Sequence, residues 1–152
     1  MVTFTIDPKR YDTNDPQTIS NILKNFRQDL NKRMLCEYDF VLFPDFASEK
    51  QGIHLHGLLR CYEYEQFLTD SGFRTKYGTV YNVHKWSYGY STAIRLDGSP
   101  RVVKYCTKYM NKQGTWTNKL LPKHFYRFGK VPKAEYDYTQ LVIRGKEQTS
   151  KI

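Results

Sequence analysis

The apolar residues of this chain recur with two different periods. Val2-Thr3-Phe4-Thr5-Ile6 alternates every second residue, the pattern of a half-buried strand. From Ile19 the period lengthens, and Ile19, Ile22, Leu23, Phe26 and Leu30 fall on one side of a helix. Asp15-Pro16 ahead of them offers a capping carboxylate and a proline suited to a first helical position, so the helix should run from there to about Arg33. Residues 37–43 return to a strand pattern, which is expected to stop at Pro44, and residues 53–60 form the next strand. The turn-forming stretch 48–52 between them predicts an antiparallel pair.

Further along, 62–69 reads as a short helix, 79–83 as a short strand, and 86–96 as a strand interrupted by Gly89. Asp97-Gly98 marks a turn. Ser99 and Pro100 then start a helix over 100–113 that Gly114 should end. A last strand is expected at 124–128, and 141–152 is a polar, basic tail. Mixed elements whose clearest pair is a hairpin favour an α+β fold, an antiparallel central sheet flanked by helices, over a parallel doubly wound one. Residues 1–140 are expected to form a single domain, which suits a chain of 152 residues.

Charge narrows the choice of partner. Lys and Arg number 24 against 15 Asp and Glu, a formal net charge of +9. Such an excess points to nucleic acid or an anionic surface. Aromatic residues make up 16% of the chain, with 13 Tyr and 9 Phe, and suit stacking on unpaired bases as well as a core. No run approaches the roughly 18 apolar residues of a membrane span, and no membrane partner is expected. The first residues do not resemble a signal peptide. Cys36, Cys61 and Cys106 are odd in number and widely spaced, which argues against a disulfide framework or a zinc knuckle and fits a reducing compartment.

Two constellations carry candidate chemistry. The first is His54-Leu55-His56 within the second strand of the hairpin. Strand side chains alternate, so both imidazoles point to one face and could grip one divalent cation. The hairpin sets the end of the preceding strand beside them, which makes Asp45 the candidate third ligand and Glu49 the fallback. Two histidines bonded to polar neighbours on a half-buried sheet would give the same pattern. The second is Lys104-Tyr105-Cys106-Thr107-Lys108 on the helix 100–113. Tyr105 and Lys108 are three apart and share a face, with Lys104 beside the tyrosine. A phenol titrates near ~10, and nearby positive charge favours its nucleophilic form. An ordinary amphipathic surface also places Tyr and Lys this way.

Together the two motifs resemble the HUH endonuclease family, specifically the rolling-circle replication initiators (Rep proteins) of small circular DNA viruses, phages and plasmids. Gly52 to Leu59 is similar to the family's metal motif, Tyr105-Cys106-Thr107-Lys108 to its nucleophile motif, and Phe40 to Pro44 to its looser first motif. The resemblance implies a sheet related to the RNA-recognition (ferredoxin-like) fold. It also implies metal-dependent nicking and joining of single-stranded DNA at an origin stem-loop, with Mg²⁺ or Mn²⁺ bound by the histidines. Tyr105 would become joined to the 5′ phosphate, and Lys108 would orient or neutralise charge there. Arg101 stands where some members carry a second tyrosine, which implies a single-tyrosine mechanism. Tyr109 to Gln113 has the YxxxQ spacing of HUH transposases, the rival within the class, and a non-catalytic single-strand binding module is the rival outside it. No GxxxxGK[ST] loop is present, so unwinding is expected from a host or separate helicase and synthesis from a host polymerase, in bacterial cytoplasm or a eukaryotic nucleus. Candidate DNA contacts are Arg101, Lys104 and Lys112 around the nucleophile helix, Lys123 and Arg127 in the basic stretch beyond it, and Trp86 and Tyr88 as stacking rings. Core packing is the competing role for the last two.

Overall fold

The computed structural model describes residues 1–33, 37–48, 52–96, 104 and 126–129. Seven strands form one sheet: β1 (Val2–Thr5), β2 (Tyr38–Ser48), β3 (Gly52–Cys61), β4 (Leu68–Thr75), β5 (Gly78–Val83), β6 (Ser91–Ile94) and β7 (Tyr126–Gly129). Their order is β4-β5-β6-β1-β3-β2-β7, and every pairing is antiparallel. One helix, α1 (Pro16–Arg33), connects β1 to β2. The α+β class and the antiparallel sheet are as the sequence predicts. Among the described residues no helix is long and apolar enough to cross a membrane. The expected helix over 100–113 and the tail over 141–152 lie outside the described residues, apart from Lys104, which is helical and exposed.

The start of α1 follows from Asp15. Its carboxylate accepts from the backbone N–H groups of Gln17 (3.0 Å) and Thr18 (3.1 Å), two of the donors a helix N-terminus leaves unsatisfied, and from the Thr18 hydroxyl (2.7 Å). Ile19, Ile22, Leu23, Phe26 and Leu30 then lie on the buried side, at the spacing read from the sequence. They meet the sheet face made by Val2 and Phe4 of β1, Phe40 and Leu42 of β2, Ile53 and Leu55 of β3, and Phe128 of β7. Phe26 is the hub, with its ring centroid 5.5 Å from Phe4, 5.8 Å from Phe40 and 5.1 Å from Trp86. Such tilted and edge-on aromatic pairs add roughly 0.5–1.5 kcal/mol each beyond the area they bury.

Several expectations are corrected. Strand β2 does not stop at Pro44 but continues through it to Ser48. The pairs with β7 span only Asp39 to Leu42, so Pro44 lies past them, on a stretch where a missing N–H disrupts no ladder on that side. The stretch 62–69 is only a 3-10 turn at Tyr64–Gln66, followed by β4, which the sequence did not suggest because its residues are mostly exposed and polar. The strand expected over 86–96 is confined to Ser91–Ile94. Ahead of it Lys85 takes a φ of 68°, and the chain turns so that Trp86 enters the core. Residues 88–90 run beside the end of β1 in irregular form, with Thr5 N–H donating to Tyr90 O (2.8 Å) and Asp7 N–H to Tyr88 O (2.9 Å). Gly89 permits this approach, because a Cβ there would lie 2.3 Å from the Thr5 carbonyl oxygen. The last strand, at Tyr126–Gly129, overlaps the expected stretch and runs one residue past it.

The packing of Phe26 and the capping by Asp15 can each be tested. Phe26→Ala should cost about 3–5 kcal/mol in urea unfolding, whereas Phe73→Ala, at a ring 73% exposed, should change stability by no more than about 0.5 kcal/mol. The Asp15 carboxyl is held below its ordinary 3.8 by the Thr18 hydroxyl and the backbone N–H groups of the first turn. Its folded-state pKa is depressed, so its stabilisation is complete above the ordinary value and is lost as pH falls through the lowered one. Asp15→Asn should remove that part of the acid-unfolding profile measured by circular dichroism.

Candidate nucleic-acid and metal site

Strand β3 is hydrogen-bonded on both sides, to β1 and to β2. Its odd-numbered residues Ile53 and Leu55 are fully buried against α1, so alternation sends His54 and His56 to the opposite face. Both imidazoles are partly exposed, and their centroids are 6.2 Å apart. Because β2 continues through Pro44, Asp45 pairs directly with His54, and Phe43 with His56. Residues directly opposite in a sheet share a face, so Asp45 joins the histidines. Its Oδ2 lies 3.7 Å from His56 Nε2, and the two side chains are 20% and 13% exposed. Glu49, the fallback ligand, lies outside the described residues.

The other side of β3 supplies a residue the sequence reading missed. Thr3 of β1 pairs with His56, and its Oγ1 is 3.2 Å from His56 Nδ1. When Nδ1 donates to this hydroxyl, Nε2 keeps the lone pair needed to hold a cation, as partners around metal-binding histidines commonly arrange. Thr5 pairs with His54 and Thr92 of β6 with Thr3, so hydroxyls extend the polar row. The Thr-Phe-Thr alternation of β1 was visible in the sequence, but its alignment with His56, 53 residues away, was not.

Two imidazoles and a carboxylate suit a divalent cation such as Mg²⁺ or Mn²⁺ by donor chemistry. Among the described residues, no group of three or more His, Cys, Asp or Glu side chains is gathered closely enough to hold one ion. Asp45 and His56 approach one another, while His54 stands beside them on the same face.

Gly57, next to the histidines, has a packing role. A Cβ there would lie 1.9 Å from the Val41 carbonyl oxygen, so β2 and β3 leave no room for a side chain. Arg127 of β7 pairs with Val41, which pairs with Leu58, and this register puts the exposed Arg127 on the imidazole face. Trp86 is 7% exposed, stacks at 4.5 Å on Phe4, and donates its Nε1–H to the Thr5 carbonyl at 3.0 Å. It belongs to the core and presents no face to a base, so its placement corrects the stacking role considered for it. Tyr88 is half-buried between Tyr11 and Trp86, and burial raises its phenol above the ordinary range. The exposed rings are instead Tyr62, Tyr64, Phe73, Tyr77 and Tyr90. His84 bonds Thr69 at 2.6 Å on the surface, away from the pair on β3. Tyr105, Lys108, Arg101, Lys112 and Lys123 lie outside the described residues.

The sequence matches the family model of the ORF2-type replication-associated proteins over residues 1–114. That match covers 114 of 152 residues, and the chain belongs to this family of replication-associated proteins. Its role therefore lies in the initiation of DNA replication. Comparison with curated proteins and with solved structures gives no match.

The Thr3–His56 contact makes its own prediction. Thr3→Val should shift the ring-nitrogen NMR signals of His56 and leave those of His54 in place. Unchanged His56 signals would mean that the hydroxyl does not orient the ring.

Proposed function

We propose that this chain is an HUH-type rolling-circle initiator that nicks and rejoins single-stranded DNA at a replication origin through a 5′-phosphotyrosine. The observation that carries this reading is the face of β3, where His54 and His56 stand together with Asp45 opposite, in a member of a replication-associated family. The β1-α1-β2-β3 unit also supports it, since β3 lies between β1 and β2 with α1 on one face and the imidazoles on the other.

His54, His56 and Asp45 would hold Mg²⁺ or Mn²⁺, with Thr3 orienting His56. When bound, the cation supplies Lewis-acid polarisation of the scissile phosphate and offsets its charge. Tyr105 is the nucleophile in this reading. Its phenolic oxygen forms a bond to phosphorus as its proton departs, and the bond from phosphorus to the 3′ oxygen breaks. The departing oxygen takes up a proton and becomes a free 3′ hydroxyl, a primer end. Attack by a 3′ hydroxyl on the phosphotyrosine reverses these changes and rejoins the strand. The phosphotyrosine retains the phosphodiester's bond energy, so neither direction requires ATP. Lys108 neutralises charge at the phosphate, and Arg127, on the imidazole face, tracks the backbone. Lys104, Arg101, Lys112 and Lys123 add to the basic surface that attracts the strand.

A covalent-adduct assay tests this. The full chain, Mn²⁺ and a pool of single-stranded origin-like hairpins should give a shifted band on a denaturing gel. Tyr105→Phe, His56→Ala and a chelator should each abolish it, while Tyr109→Phe should leave it intact. Loss with Tyr109→Phe alone would establish the transposase-like register. Binding that is sensitive to salt but needs no divalent metal, with no adduct from a pool containing the cognate origin, would reduce the chain to a binding module.

A further inference from the structure

A cleft of about 470 Å³ opens at the end of the sheet remote from the imidazoles. The register places it there: His56 faces Thr3, whereas the cleft is reached at Arg60 and Cys61, four and five residues further along β3. At roughly 3.4 Å per residue, four residues carry the chain about 14 Å from His56. This volume falls within the roughly 300–1,000 Å³ of ordinary small-ligand clefts. Leu59 and Ala93 line it, together with Tyr62, Tyr64, Tyr81 and Arg95.

Three features point to the chemistry of its occupant. Tyr62 is 75% exposed and Tyr64 is 50% exposed, so two aromatic rings border the cleft without a place in the core. Tyr64 meets Tyr81 edge-on, with centroids 6.4 Å apart and planes at 68°. Both charged side chains of the lining are arginines, Arg60 and Arg95. Asp39 engages the Arg60 guanidinium, with Nε at 2.9 Å from Oδ2, whereas Arg95 is exposed and makes no ion pair among the described residues. Glu65 beside Tyr64 raises its phenol above the ordinary range, keeping it protonated and able to donate. That carboxylate also disfavours an anion at the Tyr64 end and leaves Arg95 as the place for one.

We propose that this cleft holds an unpaired nucleotide of the DNA strand, its base against Tyr62 and Tyr64 and its phosphate at Arg95. The assignment rests on the single-stranded substrate proposed above and adds a second point of grip about 14 Å along the sheet from His56. Rings and a cation suit an unpaired base because every base has a face to stack, whereas a base within a duplex is already stacked. The site would therefore select strand state more than sequence.

The test is fluorescence anisotropy of the full chain with a fluorescein-labelled, mixed-sequence single strand, in chelator so that no cleavage occurs. Tyr62→Ala and Arg95→Glu alter exposed side chains, and circular dichroism should show both variants folded. Each should raise Kd roughly tenfold. Lys24→Glu, an equal charge change at an exposed position of α1, should raise it far less. Unchanged binding in both cleft variants would overturn the proposal by assigning the cleft to another occupant. An equal loss in Lys24→Glu would also overturn it, by reducing the effect to overall charge. Cleft-dependent binding without any covalent adduct would uphold this site and remove the nuclease reading. An adduct formed with cleft-independent binding would do the reverse.

Discussion

The structure depends on β3 having neighbours on both sides and a buried face on one. Pairing with β1 and β2 satisfies its backbone along most of its length. Burial of Ile53 and Leu55 against α1 then leaves no freedom in the choice of face, because slipping the register by one residue would drive imidazoles into an apolar core. The polar row on the far side is a consequence of how tightly the near side is packed. Thr3, Thr5 and Asp45 reach the histidines only because the strands that carry them are held by the same core.

That core is an aromatic knot. Phe4, Phe26, Phe40 and Trp86 meet one another from β1, α1, β2 and the turn before β6. Trp86 serves both packing and hydrogen bonding, since its ring packs on Phe4 while its N–H occupies the Thr5 carbonyl. The end of β1 is thereby fixed by a residue 81 positions away, and Thr3 and Thr5 are held in register with the imidazoles. Rigid support of this kind suits a site that must present polar groups at fixed separations.

The two faces and two ends of the sheet divide the molecule's work. One face is sealed by α1. The other carries imidazoles, a carboxylate and hydroxyls, with Arg127 on the same side. The end of the sheet beyond Cys61 carries the tyrosine-bordered cleft. A strand of DNA is a repeating anion with stackable bases, and a surface that offers charge, hydroxyls and rings at separated points can hold it at several places.

Where local order is enough, the sequence by itself determined the outcome. The period of Ile19 to Leu30 and the Asp15 cap defined α1, because helix spacing and capping are settled within a few residues. Alternation alone put His54 and His56 on one face. Which residues would stand across from them was decided only by the tertiary structure. Pro44 suggested a strand end, yet β2 runs past it because its neighbour β7 does not extend that far, and this is what sets Asp45 against His54. Thr3 meets His56 through a pairing between distant segments that no local pattern encodes. Trp86 read as a strand residue with a face to spare, but a left-handed turn at Lys85 and the hydrogen-bonding need of the Thr5 carbonyl draw it inward. Periodicity is a property of the backbone over one or two turns or a few strand residues. The choice of partner depends on burying the whole apolar face at once, and only the folded sheet makes that choice.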